Sequence, residues 1–146
     1  MSGLGMRVTL QNMGLPKQML RRLERANTQP LMDEIGDFIL SETLINFDLE
    51  QTPEGEDWTP SQRAKSQGGK TLQDSGRLRD SYVYDAQHDQ VEIGSNTIYS
   101  LIHHAGGKAG RNQSVDLPAR PALGITSELE SEIGDMTLDF FRRLAA

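Results

Sequence analysis

The chain has no cysteine, few aromatic residues and no long apolar run, and each absence removes a class of protein. Without cysteine there is no disulfide framework, no thiolate metal site and no thiol nucleophile, a composition suited to a reducing cytoplasm. Aromatics make up 5% of the 146 residues and hydrophobic residues of all kinds 36%. That is thin core material for a chain long enough to bury roughly 70% of its unfolded surface. The expectation is a single domain over residues 1–146, with one modest core and long exposed segments near 54–69 and 106–113. No stretch approaches the roughly 20 consecutive apolar residues of a membrane span, and residues 1–20 hold no apolar core of signal-peptide length. Both observations read against secretion and membrane insertion.

Also lacking is a net positive charge. The formal balance is −6, which argues against a general nucleic-acid binder, since neutralising phosphates needs a clustered basic surface. The sign alternates along the chain: residues 1–27 carry +4, residues 28–60 hold nine acids and no base, and residues 61–81 return to +3. Such blocks either pair within the fold or match complementary faces of neighbouring subunits, where charge governs register and partner choice.

Patterning gives the elements. Residues 6–11 alternate weakly and read as a short strand with Val8 and Leu10 on one side. Residues 15–26 form a helix with Leu15, Met19, Leu20 and Leu23 on one face. A stronger helix begins at a Thr28 cap with Pro30 in its first turn, carries the stripe Leu31, Ile35, Phe38, Ile39, Ile45 and Leu49, and fails by Thr52-Pro53. Residues 54–69 read as a long surface loop anchored by Trp58, a length that calls for mobility or a partner. Ser75-Gly76-Arg77-Leu78 reads as a capped helical turn, and residues 82–86 and 90–94 as a β-hairpin around 87–89. Asn96 is expected to cap a helix over 97–105 that buries Ile98, Leu101 and Ile102 and stops at Gly106-Gly107. The Gly-rich segment 107–113 reads as a flexible tip, 115–119 as an edge strand restricted by Pro118 and Pro121. A last helix opens with a Ser127/Glu130 capping box, repeats Leu129, Ile133, Met136, Phe140 and Leu144, and pairs Asp139 with Arg143. The order predicts an α+β fold: a small antiparallel sheet, hairpin plus edge strands, packed by two long helices, with long loops.

Chemistry finds little purchase. His103 and His104 are adjacent on a helix, diverge by roughly 100° and do not share a metal easily; one of them is expected beside Tyr99. The carboxylate pairs Asp33-Glu34, Glu54-Glu56-Asp57 and Glu130-Glu132 sit in helix first turns or a loop, without the cleft that glycosidase chemistry needs. Ser75-Gly76 is no nucleophile elbow, and the glycines frame no phosphate loop. The expectation is no catalytic residue, no cofactor and no metal. A basic patch of Lys65, Lys70, Arg77, Arg79, Lys108 and Arg111 would form if the loops converge, lacking interleaved aromatics for base stacking. Arg120, held between Pro118 and Pro121, presents a guanidinium that forks onto a carboxylate, either of an acidic helix in the same chain or of a neighbour.

Several of these pieces occur in an order that resembles one family. They are Pro30-Leu-Met-Asp-Glu-Ile-Gly36, Phe47, the Gly55…Trp58-Thr-Pro60 turn, Leu72…Ser75-Gly-Arg-Leu78, Val91-Glu-Ile-Gly94, Tyr99, His103 with Gly106-Gly107, and Pro118-Ala-Arg-Pro121. The chain resembles the phage virion morphogenesis proteins, the Mu-like and tail-completion proteins of contractile-tailed phages and prophages. It departs at Ser75, where Thr is commoner, and at Ala122, where a larger aromatic is common. The resemblance implies a structural, non-enzymatic subunit of the neck or head-proximal tail end, assembled in the host cytoplasm and found in the virion. It implies a homo-oligomeric ring, six-fold in preference to twelve-fold, that joins tail to head beside neck, tail-terminator or tail-tube proteins, with non-specific contact to DNA in the lumen and none to membrane. Candidate contact residues are Trp58, Arg77, Arg79, Tyr99, His103, Lys108, Arg111 and Arg120. A non-catalytic DNA-contacting accessory protein is the alternative, and a hydrolase using His103 or His104 a third reading.

Overall fold

The computed structural model describes residues 3–73 and 75–145; Met1, Ser2, Asp74 and Ala146 lie outside them. In chain order the elements are β1 (Leu4–Thr9), a 3-10 turn (Leu10–Met13), α1 (Lys17–Arg25), α2 (Gln29–Leu49), α3 (Gln62–Gln67), α4 (Arg77–Asp80), β2 (Tyr82–Ala86) and β3 (Gln90–Ser95). These are followed by α5 (Ser100–Ala105), β4 (Gly107–Ala109), a second 3-10 turn (Arg111–Gln113), β5 (Val115–Leu117) and α6 (Ser127–Ala145). The expected hairpin is β2–β3, and β1 pairs antiparallel on its other side to give the order β1-β3-β2.

Register divides the sheet into two faces, because successive side chains point to opposite sides. Met6, Ile93 and Tyr84 lie in one row and Val8, Val91 and Ala86 in the next, all turned toward the helices. The alternate row is Arg7, Glu92 and Asp85, and Arg7 Nη2 lies 2.6 Å from Glu92 Oε1 there. β1 ends at Thr9, earlier than its alternation suggested, because Thr9 Oγ1 accepts from Asn12 N–H and starts the 3-10 turn that buries Leu10.

Of the two long helices expected to cover the sheet, α2 packs on it against β2 and β3, and α6 packs against α2. Because α2 is covered from two sides, it buries more than one stripe: Met32, Gly36, Thr43, Asn46 and Phe47 join Leu31, Ile35 and Ile39. Ile45 and Leu49, expected in the stripe, are exposed. Gly36 is a close-approach residue, since a Cβ there would stand 2.5 Å from Tyr84 Cδ2. Thr28 caps α2 by position only; its hydroxyl donates to the His88 carbonyl in the β2–β3 turn, and Asn27 Oδ1 accepts from Gln29 N–H instead at 3.2 Å.

α2 stops at Leu49 with Glu50 in the left-handed conformation, short of Thr52-Pro53. Its last carbonyls are satisfied from the returning loop: Lys70 Nζ donates to Asp48 O and Gln73 Nε2 to Phe47 O at 2.7 Å, while Glu50 accepts from Thr71 N–H at 2.6 Å. Segment 54–69 is therefore not structureless. It contains α3, capped by Ser61 Oγ on Ala64 N–H, and its neck is tied by Ser61 N–H to Thr71 Oγ1 at 3.1 Å.

Two further expectations change. The Gly-rich segment after Gly106 is a second small hairpin, β4 with β5, and not an irregular tip. Helix α6 begins one residue before its expected box: Thr126 Oγ1 accepts from Leu129 N–H, and Asp139 faces Arg142 at 3.7 Å whereas Arg143 approaches Glu34 at 3.9 Å. Leu129, Ile133 and Thr137 are its buried face, and Leu144 is exposed.

Candidate functional site

The chain's single tryptophan organises the region where the expected contact residues lie. Trp58 is buried edge-on against Phe47 at 5.4 Å, and Phe47 meets Tyr82 at 5.5 Å, so three of the few aromatics form one cluster. Trp58 Nε1 donates to Pro121 O at 2.9 Å. One residue along on each strand, Arg120 Nε donates to Thr59 O at 2.7 Å, and Arg120 N–H donates to His103 O at 2.8 Å. A clasp of 58–59 on 120–121 thus carries α5 with it. Trp58 and Arg120 are placed inside the subunit, where they hold this region together.

Beside the clasp opens a cleft of about 300 Å³ lined by Ser61, Arg63, Leu72, Ser75, Arg77, Leu78, Tyr99, His103, Leu117 and Arg120. It gathers residues from α3, α4, α5 and the segment after β5. Four of the eight expected contact residues, Arg77, Tyr99, His103 and Arg120, meet here. Tyr99 packs against His103 with ring centroids 6.0 Å apart, the pairing expected of one of the two histidines. Arg120 makes no ion pair among the described residues, so of its two readings the bridge to an acidic helix of its own chain is not seen among them. It is only 6% exposed, and burial lowers its pKa. Burial also lowers the pKa of His103, assisted by the Arg120 charge, and that of His104. The Nδ1 atoms of both imidazoles are buried without a hydrogen-bond partner, an arrangement that suits the neutral ring.

The remaining four fall elsewhere. Arg79 is drawn off by Asp48 at 3.2 Å and lies 3.8 Å from Asp80; Lys108 faces Asp116 across β4–β5 at 3.7 Å; Arg111 is exposed in the second 3-10 turn. The basic patch drawn from Lys65 to Arg111 does not gather in one lining: Arg77 alone of those six faces the cleft. Arg63 and Ser61 line it without having been singled out as contacts; the signal available was only that their loop was too long to be idle. Helix α5 also departs from expectation. It starts at Ser100, three residues late, because Ser95, Thr97 and Ser100 bond one another through side chains and backbone before it. As a result Ile98 is 90% and Leu101 53% exposed, whereas burial was expected. Among the described residues no group of His, Asp and Glu is arranged to hold a metal ion.

Residues 12–142 match the phage virion morphogenesis family. The chain belongs to that family. A relative among curated proteins is the Mu-like prophage FluMu G protein 2 of Haemophilus influenzae, 33% identical over 127 residues, which is 86% of this chain and 88% of that protein. No solved structure gives a significant match. As a virion morphogenesis protein, the chain has a phage structural or assembly role, and the cleft and the exposed α5 surface are its candidate contact surfaces.

Proposed function

We propose that this virion morphogenesis protein is a non-enzymatic ring subunit at the neck or head-proximal end of the tail, completing the tail for joining to the head. The observation that carries the reading is the family match over 12–142. What the geometry adds is a subunit with unfinished surfaces. Ile98, just before α5, and Leu101, on it, leave apolar area in water, a feature of faces that meet other proteins. Arg120 is a buried guanidinium with no ion-pair partner among the described residues, and burying a charge is costly unless something pairs it. Cyclic symmetry, six-fold in preference to twelve-fold, is the closed form such a subunit adopts. DNA contact has less to work with, because Arg79 and Lys108 face carboxylates and Tyr99 meets His103 edge-on.

The test is a reconstruction of the assembled particle by electron microscopy. This chain is expected in a ring of fixed copy number between head and tail. A location away from that junction, or a copy number compatible with no cyclic symmetry, would end the reading.

A further inference from the structure

Among the described residues the charged side chains that line the cleft are guanidinium groups, those of Arg63, Arg77 and Arg120, beside the neutral His103, and no described acid lines it. Arg77 is exposed and Arg120 buried, and neither makes a side-chain ion pair with any described residue. The same chain carries the complement on a different surface. Glu54, Glu56 and Asp57 are all exposed within four residues, and none enters an ion pair among the described residues.

These three carboxylates sit on a built turn. Thr52 N–H donates to Glu56 O at 2.8 Å, Gly55 N–H to Thr52 O at 2.9 Å, and Glu56 N–H to Thr52 Oγ1 at 3.1 Å. Gln51 bridges Asp57, and Trp58 N–H donates to Glu50 O at 2.8 Å, so the turn is fastened to the end of α2 on one side and to the aromatic cluster on the other. Such a turn has little freedom left to lose on docking. Resting on the ring reading above, we propose that the cleft receives the 54–57 turn of a second copy of this chain, with Arg77 and Arg120 taking its carboxylates. Charge-assisted, forked Arg–carboxylate pairs supply direction as well as attraction. Turn and cleft are different surfaces of one chain, so in the ring each copy gives its turn to one neighbour and takes a turn from the other, a heterologous contact that closes when repeated head to tail.

The natural absence of cysteine gives a clean test in assembled particles. Chains carrying Arg77→Cys together with Cys at Glu54, Glu56 or Asp57 are treated with a short bis-maleimide. At least one pair is expected to give a covalent ladder ending at the ring size, while each single variant gives none. Cross-linking of Arg77→Cys chains alone would put cleft against cleft and overturn the proposal. No ladder from any pair, in particles whose reconstruction shows a ring, overturns this contact and leaves the ring standing; a reconstruction without a ring removes both. Where a cysteine variant does not enter particles, charge reversal decides. Arg77→Glu is expected to deplete the chain from particles, and adding Glu54→Arg, Glu56→Arg or Asp57→Arg to restore it; depletion that none of the three restores overturns the proposal.

Discussion

Gly36 and Gly134 both lie inside long helices, and the same methyl group should act on them in opposite directions. Alanine gains about 1 kcal/mol over glycine in a helix interior. At Gly134 nothing lies within 4 Å of the added carbon, so Gly134→Ala is expected to stabilise the chain by about 0.5–1 kcal/mol. At Gly36 the carbon would press on the Tyr84 ring at 2.5 Å and on Val91 Cγ2 at 2.8 Å, both part of the face α2 packs against. Overpacking costs about 1–3 kcal/mol and exceeds the propensity gain, so Gly36→Ala is expected to destabilise. Urea midpoints of the two variants check this, and a Gly36→Ala midpoint at or above the parent's would show that α2 does not pack as described.

Helix α5 links acid sensitivity to the clasp. Burial holds His103 and His104 neutral, and the unfolded chain takes up protons first as pH falls below about 6.5, the ordinary imidazole value. The neutral rings therefore contribute stability that is present above that pH and lost as pH falls toward their lowered folded-state values. Thermal midpoints are expected to drop between about pH 7 and 5, before most carboxylates titrate, and the drop should shrink in His103→Gln/His104→Gln. An equal drop in that variant would mean the histidines are not its source. Element by element, legibility followed local chemistry. The β2–β3 hairpin, α2, α6 and the Trp58 anchor were readable because alternation, helical spacing and a lone large aromatic each act through near neighbours. What could not be read depended on partners far away in sequence: the Thr28 hydroxyl taken by His88 O, the late start of α5 imposed by Ser95 and Thr97, and the pairing that makes a hairpin of the Gly-rich β4–β5 segment. The cleft was legible only in part: Arg77, Tyr99, His103 and Arg120 were expected contacts, but their meeting depends on long-range bonds such as Arg120 N–H to His103 O and Arg120 Nε to Thr59 O.

For the whole molecule, the proposed contact surfaces lie apart from the main core. The core runs from the inner sheet face through α2 to α6, and the unfinished charges lie outside it at the cleft and the 54–57 turn. Amide hydrogen exchange is therefore expected to slow over 54–69 and 106–113 when the chain is incorporated into particles, while protection in α2 and β3 changes little. Equal exchange of both segments in free and assembled chain would argue that neither is an assembly surface. The neck formed by Ser61 N–H on Thr71 Oγ1 bears on how such a chain varies. What the returning loop supplies to the end of α2 comes from Lys70, Thr71 and Gln73, so the excursion between 62 and 69 is not needed to finish that helix. Doubling the length of a flexible closed loop costs only about 0.6 kcal/mol. Chain length is thus cheap between those two anchors and expensive on either side, which makes this excursion the natural place for insertions and deletions to accumulate over evolutionary time without redrawing the fold.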